Sequence, residues 1–185
     1  MKVVETDLPG CLILEPRVFC DSRGFFYEWF NRDRLAEAGL PTQFVQGNVS
    51  RSSKGVLRGL HFQHPRAQGK LISVLEGEVW DVAVDIRRDS PTFGSWEGIL
   101  VSAENKRHVW IPAGFAHGFV VLSEQALFTY LCTDTYAPEA EAGIRWDDPA
   151  LAIAWPCAAP RLSDKDAQLP LLSELPAERL PACAG

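Results

Sequence analysis

The chain has 185 residues, of which 46% are hydrophobic and 10% aromatic, a composition typical of a globular protein with a sizeable core. Its formal net charge of −6 disfavours a nucleic-acid-binding surface, which needs a basic footprint. The sequence shows neither a signal-peptide pattern nor an apolar run of about 18 residues, so we expect a cytoplasmic protein that is not secreted and does not span a membrane.

Strand signals dominate from Val18 to Cys132, where short apolar runs with alternating pattern are separated by Gly and Pro turns. Many short strands of this kind predict a mainly β sandwich or barrel. Within this region a short helix is predicted over Arg32 to Ala38, with Asn31 as its N-cap and Gly39 just past its end.

The clearest predicted hairpin runs from Leu71 to Ile86 and turns near Gly77. In its second strand the apolar residues alternate with Asp81 and Asp85. We therefore expect one face of that strand to lie in the core and the other to face solvent or a cavity.

From Pro138 onward the sequence is rich in Pro, Ala and charge, with short helices possible around Ser163–Leu169 and Ser173–Leu180. No repeat or long linker divides the chain, so residues 1–185 are predicted to form one domain, with the tail of about residues 160–185 wrapping the β core.

Five cysteines without metal-ligand spacing are expected to be reduced and without function: Cys11, Cys20, Cys132, Cys157 and Cys183.

Arg58 and His61 stand three residues apart in an otherwise apolar strand. Charged and titratable side chains are rarely buried unless paired, so this strand either lines a cavity for an anion or ends at solvent. Strict alternation would place the two side chains on opposite faces. If they share one cavity, the strand must bulge, and Gly59 is the predicted position of the bulge.

Four further polar residues lie among apolar neighbours on later segments, namely Lys70, His117, Tyr130 and Asp166. Each has a structural alternative to a functional role. Lys70 could reach water from a strand end, His117 and Tyr130 could be hydrogen-bonded core residues, and Asp166 could be a helix N-terminal carboxylate. None of these four is decisive alone.

Taken together, five blocks resemble the dTDP-4-dehydrorhamnose 3,5-epimerase family, whose members are cupin-type β-barrels with a jelly-roll fold. In chain order the blocks are Asp21–Glu28, Phe44–Asn48, Gly55–His61 with Gln68–Lys70, Ile111–Phe119, and Tyr130 with Tyr136 and Leu162–Asp166. The resemblance covers nearly the whole chain.

The resemblance implies epimerisation of dTDP-4-keto-6-deoxy-D-glucose at C3 and C5, in dTDP-L-rhamnose biosynthesis, without a metal or redox cofactor. The ketone acidifies both neighbouring carbons, so an enzyme needs a base, a proton donor on the opposite face and support for the enolate oxygen. By matching position, His61 is the base, Asp166 its carboxylate partner, Tyr130 the donor and Lys70 the group that stabilises the oxygen.

The resemblance also assigns the substrate-binding residues and a homodimer. Tyr136 matches a thymine-stacking aromatic, and the other matched positions are Arg23, Phe26, Glu28, Gln46, Asn48, Arg58, His117, Glu141 and Lys165. The N-terminal strands are implied to cross to the partner, so the segment around Arg23 and Phe26 is expected to serve the neighbouring subunit's site.

Three residues, in two places, depart from the family pattern. Gly47-Asn48-Val49 stands where Asp-Asn-His is usual, and Leu131 stands where a Lys often follows the tyrosine. These departures predict a difference in nucleotide affinity or sugar preference.

Three alternative functions remain open from the sequence. A metal-dependent cupin would need converging His and carboxylate ligands, but His61 and His64 are three apart and Gln68 stands near the usual Glu position. A non-catalytic sugar-nucleotide sensor would not need Tyr130 or the pair of His61 and Asp166. A relative that epimerises only one of the two carbons differs in features that the sequence does not fix.

Overall fold

The computed structural model describes residues 1–183, so the last two residues of the predicted domain and tail, 184 and 185, lie outside the described residues. Two short helices, α1 and α2, cover Arg32–Glu37 and Asp164–Ala167. The strands are β1 Lys2–Glu5, β2 Leu12–Glu15, β3 Val18–Asp21, β4 Gly24–Tyr27, β5 Gln46–Ser53, β6 Leu57–Gln63, β7 Lys70–Glu76, β8 Glu78–Asp85, β9 Trp96–Ser102, β10 His108–Ile111, β11 Phe115–Val121, β12 Gln125–Cys132 and β13 Glu141–Gly143.

Most strands belong to two antiparallel sheets. A six-stranded sheet has the order β1-β2-β10-β7-β12-β5, and a five-stranded sheet has the order β13-β6-β11-β8-β9. In the part of the chain that the structure describes, no ladder of hydrogen bonds joins the two sheets into a closed barrel. The predicted mainly β, cupin-type architecture is confirmed, as two stacked sheets.

The predicted hairpin of Leu71 to Ile86 is wrong in its pairing. The chain does turn at Gly77, but β7 pairs with β10 and β12, whereas β8 pairs with β9 and β11 in the other sheet. Gly77 has a φ of +77°, and a Cβ there would lie 2.0 Å from the Gln125 carbonyl oxygen. The turn therefore carries the chain from one sheet to the other instead of folding it back on itself.

The main core fills the space between the two sheets. It contains Ile72 and Val74 from β7, Val79 and Ala83 from β8, and Phe128 from β12. Both faces of β8 are buried, because a second cluster covers its outer face with residues of the C-terminal tail such as Leu172 and Leu180. Burial of both faces explains why β8 contains a nearly continuous apolar run.

The two short α-helices begin at side-chain caps. The Asn31 carboxamide oxygen accepts hydrogen bonds from the backbone N–H groups of Asp33 and Arg34, which confirms the predicted start of α1. In α2 the Ser163 hydroxyl oxygen accepts from the Asp166 backbone N–H. The prediction of short helices near Ser163 and Ser173 is confirmed, the second as 3₁₀ turns at Leu172–Glu174 and Ala177–Arg179.

The strands β3 and β4 form a separate two-stranded arm. Its Phe25 and Phe26 are 61% and 70% exposed. Exposed aromatic area of this size on a short hairpin is typical of a surface that another molecule covers.

None of the helices that the structure describes has the length and apolarity to cross a membrane.

Candidate active site

A cavity of about 370 Å³ opens between the two sheets. The five-stranded sheet contributes Arg58, His61 and His117 to its wall, and the six-stranded sheet contributes Asn48, Lys70 and Tyr130. Tyr136, Glu141, Lys165 and Asp166 complete the wall from the loops, β13 and α2. Ten of the fourteen residues that the resemblance assigned to the site line this one cavity.

Arg58 and His61 reach the same cavity because β6 is irregular between them. His61 pairs with His117 of β11, but Arg58 pairs with Phe119, so β6 holds one more residue than its partner across this interval. Gly59 has a φ of +131°, and a Cβ there would lie 2.5 Å from the Gly118 Cα. The predicted distortion at Gly59 is confirmed, and a glycine is required at this position.

His61 is hydrogen-bonded to Asp166, with 2.7 Å between Nε2 and Oδ1. Burial alone would raise the pKa of the Asp166 carboxyl, but the hydrogen bond and charge of His61 and the Ser163 hydroxyl hold it below its ordinary value. An ionised Asp166 accepts the Nε2 proton, which leaves the lone pair of the neutral ring on Nδ1. The pair is thus arranged to accept a proton at Nδ1.

Lys70 begins β7 and is 8% exposed. Burial lowers the pKa of its ammonium below the ordinary value, against the attraction of the nearby Asp81 and Glu141 carboxylates. A lysine that points into a cavity under these conditions provides a concentrated positive charge for an oxyanion. The alternative of a strand-end lysine that reaches water is excluded by its burial.

Tyr130 lies on β12, in the sheet opposite His61. Burial raises the pKa of its phenol above the ordinary value, while the Arg58 charge opposes the increase. The phenol therefore keeps its proton at neutral pH and can act as a proton donor. Arg58 is held by a hydrogen bond of 3.1 Å from its Nε to the Ser52 hydroxyl oxygen.

His117 is buried and hydrogen-bonded to Asp81, with 2.8 Å between Nε2 and Oδ2. Burial lowers the pKa of the His117 ring, and Asp81 partly offsets this effect. Sequence reasoning missed Asp81 as a functional candidate. The sequence did offer one signal, because Asp81 is a carboxylate among the apolar residues of β8. Its partner His117, however, could not be identified from the local sequence.

A polar network surrounds the entrance beside Tyr136. The Tyr136 hydroxyl donates to Glu141 Oε2 at 2.8 Å, and Lys165 Nζ lies 2.5 Å from the same oxygen. The Gln46 side-chain oxygen accepts from the Tyr136 backbone N–H, and its amide donates to Asn48. Glu141 and Lys165 thus hold the exposed Tyr136 ring in place at the cavity edge.

Three of the predicted binding residues lie outside the cavity of their own chain. Arg23 is on the exposed arm and is paired with Asp21, and Phe26 is on the same arm. Glu28 forms an ion pair with Arg34 of α1. A fourth, Gln46, reaches the cavity only through Tyr136 and Asn48.

Several cavity residues had not been singled out as binding residues from the sequence: Val49, Ser50, Phe62, Gln63, Gln68, Phe119, Phe128 and Ser163. Gln63 has a clear structural role, because its buried amide bonds the backbone of Arg66, Thr135 and Ala137 and so fixes the loop that carries Tyr136. The packing of Phe119 on Phe128, with ring centroids 4.0 Å apart, forms the apolar floor beside His117.

Of the three residues that depart from the family pattern, Val49 lines the cavity, and the other two lie next to each other. Leu131 of β12 pairs directly with Gly47 of β5, and a Cβ on Gly47 would be 3.2 Å from Leu131 Cδ2. By strand alternation both face away from Asn48 and Tyr130, which are themselves paired across the same two strands.

Among residues 1–183, no three His, Cys, Asp or Glu side chains are clustered so that they could hold a metal ion.

Comparison with known proteins identifies similar sequences along nearly the whole chain. The family model described as dTDP-4-dehydrorhamnose 3,5-epimerase matches residues 5–174. A Pseudomonas aeruginosa protein named dTDP-4-dehydrorhamnose 3,5-epimerase is 59% identical over 170 residues, which cover 91% of this chain and 94% of the relative.

Solved structures are equally similar. The Legionella pneumophila dTDP-6-deoxy-D-glucose-3,5-epimerase, in complex with dTDP-4-keto-L-rhamnose, is 54% identical with a TM-score of 0.96, over 100% of this chain and 99% of that one. ChmJ, a 3'-monoepimerase from Streptomyces bikiniensis in complex with dTDP-quinovose, is 38% identical with a TM-score of 0.88, over 96% and 91% of the two chains.

Proposed function

Because the chain belongs to the dTDP-4-dehydrorhamnose 3,5-epimerase family, we propose that it converts dTDP-4-keto-6-deoxy-D-glucose to dTDP-4-keto-L-rhamnose by epimerisation at C3 and C5. The observation that carries this proposal is the position of a histidine–carboxylate pair and a protonated tyrosine on opposing sheets of one cavity. A base and an acid on opposite sides of a flat enolate are what inversion at carbon requires.

In the proposed reaction, His61 Nδ1 removes the proton from a carbon beside the ketone, and the ring becomes an imidazolium that Asp166 stabilises. The charge left on the substrate moves to the ketone oxygen, where the Lys70 ammonium stabilises it. Tyr130 then gives its proton to the opposite face of the carbon. The imidazolium loses its extra proton to solvent and the tyrosinate regains one from solvent, which restores both groups for the second carbon. No electrons are gained or lost, and the ketone itself delocalises the charge, so the reaction as written needs no cofactor.

For substrate binding we propose that Arg58 meets a phosphate oxygen of the nucleotide and that Tyr136 stacks on the thymine. Arg58 reaches the cavity through the bulge in β6, and a guanidinium fits phosphate geometry. The Tyr136 hydroxyl donates to Glu141, and its backbone N–H donates to the Gln46 side-chain oxygen, which supports use of the ring as a flat platform.

We also propose a homodimer in the cytoplasm, in which the arm of β3 and β4 reaches the cavity of the partner subunit. Exposed Phe25 and Phe26 on that arm support burial against a second copy. Arg23 would then add a positive charge that the chain's own cavity does not receive. The five free cysteines fit a reducing compartment.

The test is exchange of solvent deuterium into dTDP-4-keto-6-deoxy-D-glucose, followed at both carbons by NMR. Exchange and inversion at C3 and C5 support the proposal. Exchange at one carbon alone would replace it by a single-carbon epimerase, the second candidate, which the similarity to the 3'-monoepimerase ChmJ favours. Absence of exchange at both carbons would refute the enzyme proposal and leave a sugar-nucleotide sensor.

A further inference from the structure

Asp81 is a buried carboxylate with an incomplete set of hydrogen bonds. It is 1% exposed, its Oδ2 bonds to His117 Nε2 at 2.8 Å, and its Oδ1 is buried without a hydrogen-bond partner within the described residues. A carboxylate oxygen left unpaired in the interior costs free energy, so the core would be more stable with an apolar residue here. Such a group needs an explanation other than stability.

The contacts of His117 leave one ring nitrogen for a ligand. Its ring lies nearly parallel to that of Phe128, with centroids 6.1 Å apart, and this packing fixes the plane of the imidazole. Asp81 occupies Nε2, and His117 lines the cavity. For Nδ1 the described part of the chain supplies no hydrogen-bond partner, and Nδ1 is not among the fully buried polar atoms.

The protonation state of the ring follows from its surroundings. Burial lowers the pKa of His117, and the nearby Lys70 and His61 lower it further, so the ring is neutral at physiological pH although Asp81 opposes the effect. An ionised carboxylate accepts hydrogen bonds only, so the single ring proton must be on Nε2. Nδ1 therefore presents a lone pair to the cavity and accepts a hydrogen bond.

An acceptor at this place selects among the groups of the substrate. The phosphates and the ketone oxygen of a nucleoside-diphosphate keto-hexose accept hydrogen bonds, whereas its hydroxyl groups donate them. His117 pairs directly with His61 across β6 and β11, so its ring is next to the proposed base and not next to the Tyr136 platform. The hexose hydroxyls beside the reacting carbons are the donors in reach of this position.

We propose that Asp81 is a positioning residue that fixes the tautomer of His117, so that Nδ1 accepts a hydrogen bond from a hydroxyl group of the keto-hexose. This inference rests on the proposed function and adds to it a role for Asp81 and a sugar-reading role for His117. Binding of the diphosphate is then the task of Arg58 and not of His117.

The first measurement is the tautomer of His117 in the wild-type protein, by two-bond ¹⁵N–¹H correlation of the histidine rings. The chain has four histidines, so the spectrum is simple and His117 is assigned by its loss in His117→Asn. The expected pattern is a protonated Nε2 and an unprotonated Nδ1 at pH 7. A protonated Nδ1, as the other tautomer or as an imidazolium, would overturn the proposal.

The second measurement separates binding of the sugar from binding of the nucleotide. In Asp81→Asn the amide can donate to Nε2 and shift the ring proton to Nδ1. We expect KM for the keto-sugar nucleotide to rise by about tenfold or more, with the Kd for dTDP within about twofold, because dTDP has no hexose. An unchanged KM together with a shifted tautomer would refute the role of Nδ1.

Matched variants keep the test informative if Asp81→Asn does not fold. Asp85→Asn removes another buried carboxylate of β8, whose bonds go to Arg87, Ser90 and Thr92, and it should lower stability without changing KM.

His117→Asn keeps an acceptor near the place of Nδ1 and His117→Gln does not, so KM should rise more for the Gln variant. Equal KM values would contradict the proposal. Absence of exchange by the wild type would refute the proposed function instead, and the tautomer would still be measurable.

Discussion

His61 and Asp166 are 105 residues apart in the sequence, yet 2.7 Å separates the Nε2 of the histidine from the Oδ1 of the aspartate. One residue lies on β6, an inner strand of the five-stranded sheet, and the other on a four-residue helix of the tail. The carboxylate fixes which ring nitrogen carries the lone pair, and so it determines which edge of the ring can remove a proton.

Replacing His61 by Asn should abolish proton exchange at both carbons. General base catalysis of this kind contributes on the order of 10²- to 10⁴-fold, so exchange should fall by at least about that factor. Calorimetric titration should give a Kd for dTDP that is nearly unchanged. His64→Asn is the matched control, because His64 is three residues away and is not part of the cavity wall. Exchange at the wild-type rate in His61→Asn would place the base elsewhere.

Replacing Tyr130 by Phe should slow epimerisation more than it slows loss of the carbon-bound proton. The phenol donates a proton only after the enolate has formed, so its removal affects the second step. Parallel NMR measurement of deuterium incorporation and of product formation separates the two steps. Tyr27→Phe, in which the ring packs near His108 away from the cavity, controls for loss of a tyrosine hydroxyl. Equal slowing of both steps would contradict the donor role.

The alkaline limit of activity should depend on Lys70. Burial lowers the pKa of this ammonium below its ordinary value of 10.5, so the charge is present at low pH and is lost as the pH rises through the lowered value. A plot of kcat/KM against pH should therefore decline below pH 10.5. In Lys70→Arg the decline should move to higher pH, because a guanidinium stays charged. Tyr130 cannot account for the same decline at lower pH, since burial raises the pKa of its phenol.

Replacing Gly59 by Ala should prevent folding or destabilise the protein by more than about 4 kcal/mol. The added Cβ would lie 2.5 Å from the Gly118 Cα, in a backbone conformation with a φ of +131°. Gly94→Ala is the control: its φ is +78° but no atom lies within 4 Å of the new Cβ, so it should cost only about 1–2 kcal/mol. Urea unfolding measures both changes, and similar costs would show that the close contact is unimportant.

Local signals in the sequence predicted the local features of the fold. Asn31 and Gly39 bound α1 as expected, and the conflict between strand alternation and a shared cavity predicted the bulge at Gly59. The predicted cavity residues could be grouped because five separate blocks resembled one family. Their distances and partners became visible only in three dimensions.

The sequence did not reveal which sheet each strand joins. β7 and β8 are consecutive, but their pairing partners are β10, β12, β9 and β11, which come later in the chain. The same reason explains why Asp81 was missed. Its partner His117 is 36 residues away on a strand whose neighbour in the sheet could not be deduced from local pattern.

The location of Asp166 in α2 makes the proposed chemistry depend on a segment that follows every strand of both sheets in the chain. A nascent chain that has completed both sheets still has a histidine without its carboxylate, so by the proposed mechanism it cannot turn over substrate until α2 has docked. Limited digestion that removes the tail should therefore abolish turnover, and it would also expose the outer face of β8. On this proposal, activity appears only after α2 has docked against the finished sheets.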